Sequence, residues 1–258
     1  MTMKAILAAS TALVALAGTA QAADVAALIG NDTIAIVDTS AKKATKKMKV
    51  EGAAAPLVGI DVRPADGMLY ALAADGTLYT IAMDGKATKK SKLETMLPAG
   101  SSATVDFNPV ADRLRVIGSD GTSLRVNVDD GKVIKDGSLK YADADANKGK
   151  APKVMAGAYT NSVKGTKETT LLNVDSTTGA LVKQAPPNDG VLNTIGALGP
   201  KVDAIAFDIG SDGTKNEGWA MTGDQLWSID LATGKATQVA KIEGVGGPVT
   251  DIAILPKM

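Results

Sequence analysis

The chain has 258 residues, with 28 basic and 28 acidic side chains and neither histidine nor cysteine. Balanced charge leaves no overall field to gather nucleic acid. The missing histidine removes the usual general base, the commonest transition-metal ligand and every serine–histidine triad. Without cysteine, stability rests on the core alone. Aromatic residues make up only 3%, too few for the stacked platforms that hold sugars or single-stranded bases.

Residues 1–22 read as a secretory signal peptide. Lys4 supplies a positive start, residues 5–17 are apolar, and Ala20-Gln21-Ala22 fits a small-x-small cleavage site. The apolar run is too short to span a bilayer. Cleavage after residue 22 of 258 would leave 236 residues, a suitable length for one all-β domain covering 23–258. The expectation is a periplasmic or secreted monomer with no transmembrane segment after cleavage.

Two lysine runs follow, at 42–49 and 86–92. Both fall where an outer, solvated strand is expected. A charged edge deters strand-to-strand aggregation; contact with a polyanion or a membrane surface is the alternative use.

The stretch 105–133 displays the repeating unit of the chain. Val105 and Phe107 alternate with Asp106 and Asn108, and Leu114 and Val116 alternate with Arg113 and Arg115. A period of two predicts strands. Asn108-Pro109 breaks the first strand, because proline has no N–H for a ladder. Asp120-Gly121 and Asp130-Gly131 tolerate the positive φ of tight turns. The unit is an antiparallel meander that needs neighbours on both faces.

A third-strand pattern recurs from Thr33 (TIAIVD), Thr77 (TLYTI), Ser123 (SLRVNV), Thr170 (TLLNVD) and Gln225 (QLWSID), at separations of 44, 46, 47 and 55 residues. Five copies at this period predict a five-bladed β-propeller; a β-sandwich is the second choice. The first copy has a second strand at 25–29 and no first strand before it. The C-terminal run 249–256 resembles the first-strand pattern of 58–64, so it is expected to close the ring by pairing with the N-terminal blade. In the fourth blade either 138–142 or 154–159 could form the inner strand.

Several longer motifs carry a family resemblance. They are Ile60 to Gly67 (IDVRPADG), Asp106 to Val116 (DFNPVADRLRV), Ala158 to Asn161 (AYTN), and Gln184 to Gly190 (QAPPNDG) with Leu198-Gly199. The chain from about Leu57 onward resembles a secreted bacterial family known only as a domain of unknown function, DUF4394. The resemblance implies an exported, propeller-like single unit and transfers no activity or site.

Four positions carry arginine, namely Arg63, Arg113, Arg115 and Arg125, while every other basic residue is lysine. A planar fork is expected to matter there. One use is inter-blade pairing with Asp61, Asp66, Asp106 and Asp112. The other is an anion pocket built from Arg63, Arg113 and Asn108. The candidate ligand-binding set is Asp61, Arg63, Asp106, Asn108, Arg113, Tyr159, Asn161, Asn188 and Asp189. Asn188 and Asp189 enter through the proline-stiffened loop, which could equally be a crossing between blades four and five.

Asp143, Asp145 and Asn147 begin like a calcium loop. Lys148 and Val154 then stand where glycine and a bidentate glutamate belong, so calcium is a weak candidate and an Asx-rich turn the plainer reading. Asp208, Asp212 and Asn216 form a looser version. Asp61 and Asp106 occupy equivalent inner-strand positions, with Ala206 and Ala253 as the later equivalents, so a glycosidase-like carboxylate pair is conceivable. The favoured reading is a non-enzymatic module that binds a small molecule or protein. A carboxylate-based, calcium-assisted hydrolase or lyase and a structural envelope protein are the alternatives.

Overall fold

The computed structural model describes residues 23–199 and 204–256, and the expected signal segment lies outside them. The described residues form five antiparallel-based sheets and one short 3-10 turn, Pro187–Asp189. Blade 1 takes β1 (Asp24–Ile29), β2 (Thr33–Asp38) and β3 (Lys43–Lys49). Blade 2 holds β4 (Leu57–Val62), β5 (Leu69–Ala73), β6 (Thr77–Ile81) and β7 (Ala87–Lys92). Blade 3 holds β8 (Ala103–Asn108), β9 (Arg113–Gly118), β10 (Ser123–Val126) and β11 (Val133–Lys135).

Blade 4 contains β12 (Lys140–Tyr141), β13 (Val154–Tyr159), β14 (Leu171–Asp175), β15 (Ala180–Gln184) and β16 (Val191–Ala197). Blade 5 contains β17 (Ala206–Ser211), β18 (Asn216–Thr222), β19 (Gln225–Ile229) and β20 (Ala236–Lys241). The last strand, β21 (Val249–Ile254), pairs antiparallel with β1 and becomes the inner strand of blade 1. The ring is thereby closed as the sequence predicts. Inner strands β21, β4, β8, β13 and β17 pack against one another in a closed circuit.

Five apolar clusters fill the five junctions between neighbouring blades. This explains the almost unbroken apolar run of β1. Ala26 and Leu28 face blade 2, while Val25, Ala27 and Ile29 face blade 5, so both faces of a sheet are buried. The five junctions together hold most of the buried apolar area, which is the main favourable term in folding.

Blade 4 departs from the expected order. Its strands run β13-β14-β15-β16-β12. The TLLNVD copy is therefore a second strand, and β15 is the third. The inner strand is β13, and the competing segment forms β12, which pairs in parallel on the outer edge of β16. The long separation between the fourth and fifth copies is explained by the strands that follow β14 in this blade. The 184–190 motif lies between β15 and β16 and touches blade 3, not blade 5: the Arg115 guanidinium and the Gly137 N–H donate to Asn188 Oδ1 and O, both at 2.9 Å.

Candidate functional site

The inner strands carry a set of buried aspartates that stitch one blade to the next. Asp61 on β4 points away from the blade 1 cluster that takes Ile60 and Val62. Its Oδ2 accepts the Phe107 N–H at 2.6 Å and its Oδ1 the Val62 N–H at 2.6 Å. Asp106 on β8 accepts the Tyr159 N–H of blade 4 at 2.9 Å. Asp208 on β17 accepts the Ile254 N–H of blade 1 at 2.6 Å and the Ile209 N–H at 2.6 Å. Asp251 on β21 accepts the Ile60 N–H of blade 2 at 2.9 Å.

Four junctions thus carry a carboxylate-to-backbone link. At the junction of blades 4 and 5 the inner strand presents Ala156 and Ala158 instead, and the two blades join through Asn161 and Asn216. The Asn161 N–H donates to Asn216 Oδ1 at 2.7 Å, and the Asn216 amide returns a bond to Asn161 Oδ1 at 2.8 Å.

The register corrects one expectation. Asp208 makes the same bond to the next blade as Asp61, so Asp208 and not Ala206 is the fifth blade's equivalent of Asp61. Asp61, Asp106 and Asp208 each bring one carboxyl oxygen within 4.8 Å of the others. All three are buried, and among the described residues no lysine or arginine forms an ion pair with any of them.

Burial, then the neighbouring Asp208, pushes the Asp61 carboxyl well above its ordinary range. Burial and then Asp61 do the same to Asp106. Burial raises Asp208 to about 6, against backbone hydrogen bonds that hold it down. Asp251 is raised chiefly by burial. Such a trio can share protons, and its oxygens are close enough to hold one hard cation.

Two of these carboxyls form part of the wall of a cavity of about 350 Å³. Asp61 and Asp208 lie in it with Val62 and Pro64 of blade 2, Ile209 and Trp219 of blade 5, and Ile254 at the end of the closing strand with Leu255 and Pro256 after it. Ser162 to Lys164 reach in from the blade 4 hairpin, and Asp212, Lys215 and Glu217 also line it. Lys215 pairs with Glu217 at 2.7 Å. Asp212 is drawn down to about 2 by hydrogen bonds from Thr214 and Lys215.

The arginines are committed elsewhere. Arg63 binds Asp112 of blade 3 through Nε at 2.8 Å and Nη2 at 2.6 Å, and also reaches Asp66, Asp129 and the Tyr70 hydroxyl. Its guanidinium is thereby held charged even more firmly than usual. Arg115 is fully buried and donates to Asp136, to Ser123 Oγ at 3.0 Å, to Tyr159 Oη at 3.2 Å and to Asn188. Arg125 joins the same Asp136 at 2.8 Å. Arg113 donates to the carbonyls of Ala111 and Asp112, and Asn108 Oδ1 caps the turn at Val110 and Ala111. Asp189 ends the 3-10 turn. Of the expected Asp–Arg pairs, Arg63–Asp112 crosses from blade 2 to blade 3, whereas Asp61 and Asp106 pair with no arginine among the described residues. Arg115 and Arg125 meet Asp136 within blade 3, and Arg115 reaches blade 4 through Tyr159 and Asn188.

The Asp143 loop does not gather its oxygens. Asp143 pairs with Lys148 at 3.0 Å, Asp145 accepts from the Thr194 N–H and hydroxyl, and Asn147 bonds Thr194 and Lys150.

Of the sequence-derived candidates, Asp61 and Asp106 come together on the axis with Asp208 of the looser Asp208, Asp212 and Asn216 set, and Asp61, Asp208 and Asp212 line the cavity. Trp219, Ile254, Lys164 and Lys215 were not singled out. The signal for Asp208 lies in AFDIG, where the aspartate directly follows a large apolar residue as in VGIDV and TVDFN.

Closed radial sheets around an axial carboxyl cluster define a five-bladed β-propeller, with a cavity beside that cluster. The profile of the Domain of unknown function (DUF4394) matches residues 33–253, and the chain belongs to that family. No curated protein matches. Among solved structures, a protein of unknown function from Bacteroides thetaiotaomicron is 15% identical with a TM-score of 0.56, covering 92% of this chain and 65% of its own. The chain thus spans slightly under two thirds of that protein. One from Bacteroides caccae is 14% identical with a TM-score of 0.45, covering 92% and 100%. The dihydro-heme d1 dehydrogenase NirN, in complex with DHE, is 16% identical with a TM-score of 0.42, covering 86% and 44%.

Proposed function

We propose that this protein is an exported, non-enzymatic binding module that takes a small cation-bearing molecule into the cavity above the axial aspartates. The observation that carries the reading is the position of Asp61 and Asp208, two buried carboxyls without a basic partner, in the wall of that cavity. Apolar walls with a few convergent polar groups and displaced pKa values are what a ligand pocket requires. A cationic group placed there would supply the counter-charge that the protein itself withholds. Trp219 and the prolines would cover the apolar part of the molecule.

Hydrolysis is less well supported. The carboxyl oxygens lie within 4.8 Å of one another, tighter than the spacing of about 5–10 Å that flanks a scissile glycosidic bond. Their lone pairs are also engaged by backbone N–H groups. A periplasmic or extracellular location follows from the reading of residues 1–22.

The test is a fluorescence and thermal-melt titration with a panel of alkyl monoamines, diamines and divalent cations. At least one is expected to change tryptophan emission saturably in wild type but not in a Trp219→Phe variant, and to raise the melting point. Asp208→Asn should abolish that response. A panel-wide failure alongside saturable binding of carboxylates or neutral sugars would refute a cation-directed pocket.

A further inference from the structure

The lysine runs form one patch, and its placement is uneven in a way that edge protection does not explain. Outer strand β3 carries Lys43, Lys46, Lys47 and Lys49, and outer strand β7 carries Lys89, Lys90 and Lys92. Lys42 and Lys86 extend the two rows, and all of these lysines are exposed. The corresponding outer strands of the other blades are poor in lysine: β11 has Lys135 with Lys132 before it, β20 has Lys241 with Lys235 before it, β16 has none, and the added β12 has Lys140. Every blade has an outer edge to protect, yet the charge is concentrated on two.

Those two blades are neighbours, and the rows are joined. Lys46 Nζ donates to the Met83 carbonyl of blade 2 at 2.5 Å. A parallel bridge ties Glu51 to Lys86. Neutralisation is partial. Lys49 pairs with Asp32, Lys90 with Asp129, and Lys92 with Asp75. Lys42, Lys43, Lys46, Lys47, Lys86 and Lys89 form no ion pair among the described residues. Met83 stands exposed beside Lys46.

We infer that this two-blade face docks on an anionic phospholipid surface. Charge complementarity is the first argument: a neutral chain concentrates uncompensated cations on one sector. The choice of residue is the second. Lysine ammonium groups are hydrated point charges suited to a diffuse headgroup layer, whereas bidentate recognition of discrete phosphates favours arginine, and arginine is absent from the patch. Aromatic rings for stacking sugars or bases are absent from both strands. Exposed Met83 offers the apolar contact that a membrane surface accepts. The inference does not depend on the axial pocket.

Co-sedimentation of the purified protein with phosphatidylglycerol-containing vesicles and with pure phosphatidylcholine vesicles tests it, at low and high salt. Binding is expected only to the anionic vesicles and only at low salt. Each lysine near such a surface contributes roughly a fivefold gain, so combining Lys43→Gln, Lys47→Gln and Lys89→Gln should weaken binding on the order of a hundredfold. Combining Lys153→Gln, Lys167→Gln and Lys235→Gln changes net charge equally on blades 4 and 5 and should leave binding nearly unchanged. Thermal melts of both triple variants confirm that the fold is retained. Equal binding to neutral vesicles, equal loss in the two triple variants, or preferential binding of a soluble acidic polysaccharide such as polygalacturonate would each overturn the assignment.

Discussion

Replacing Asp106 with asparagine should make this protein more stable at neutral pH. Asp106 is buried and accepts one inter-blade bond, from the Tyr159 N–H at 2.9 Å. An asparagine carbonyl can keep that bond, while its amide offers a donor to the neighbouring carboxyls. If Asp106 keeps its proton at neutral pH, holding it costs about 4 kcal/mol, at roughly 1.4 kcal/mol for each of about 3 pH units above the ordinary carboxyl range. If Asp106 is instead ionised, a like charge within 4.8 Å costs roughly 3–4 kcal/mol at an effective dielectric constant of about 20. Asparagine removes either cost and loses at most about 1 kcal/mol of hydrogen-bond quality. The expected net gain is ~2–3 kcal/mol, or about 4–12 °C in melting point for a chain of this size.

The gain depends on pH. The folded carboxyls release their protons at higher pH than the unfolded chain does. Their contribution to stability is therefore complete below the ordinary value of 3.8 and is lost as pH rises through the folded values, which for Asp208 means up to about 6. Melts of wild type and variant at about pH 4 and at neutral pH measure the difference. The wild type should weaken across that interval and the variant should weaken less. A variant destabilised equally at both pH values would refute the reasoning. A loss confined to neutral pH would show that a counter-ion holds the wild-type cluster ionised.

Arg115→Met leaves Asp136 to Arg125 alone and removes the donor that Tyr159 and Asn188 of blade 4 accept, and should cost about 1–3 kcal/mol, read as a lower urea midpoint. Arg115→Lys should recover little of it, because a single ammonium cannot reproduce the fork that reaches Asp136, Ser123, Tyr159 and Asn188. Gly157→Ala drives a methyl into Asn173 Oδ1, a buried oxygen with no hydrogen-bond partner. It should cost about 1–3 kcal/mol, and adding Asn173→Ala should return part of that loss in a double-mutant cycle.

The ring was legible because the chain writes it twice, in the recurring apolar alternation and in the Asp-Gly turns that separate strands. Closure was legible because the 249–256 run resembles an inner strand and the first blade lacks one. Blade 4 was misread because TLLNVD has the composition of a third strand, while strand order is decided by what packs on each side. Val154 and Tyr159 bury into the junction with blade 3 from the inner strand, whereas β12 buries Tyr141 in the same junction from the outer edge of β16.

The axial cluster was half legible. Asp61 and Asp106 stand in obvious register, but Asp208 is separated from them by a blade with alanine at that level. Sequence spacing alone does not reveal which inner-strand residue reaches the next blade's backbone. The arginine motifs announced special geometry without saying whether it served a ligand or the scaffold. Carboxylate partners from neighbouring turns decide that for Arg63, and Asp136 decides it for Arg115.

Site-specific carboxyl titration by ¹³C NMR addresses the axial cluster most directly. Midpoints well above the ordinary aspartate range are expected for Asp61 and Asp106 and a value near 6 for Asp208, with exposed Asp212 expected near 2. Ordinary midpoints for all three axial carboxyls would contradict a buried cluster without counter-charge, and with it the cation-directed pocket.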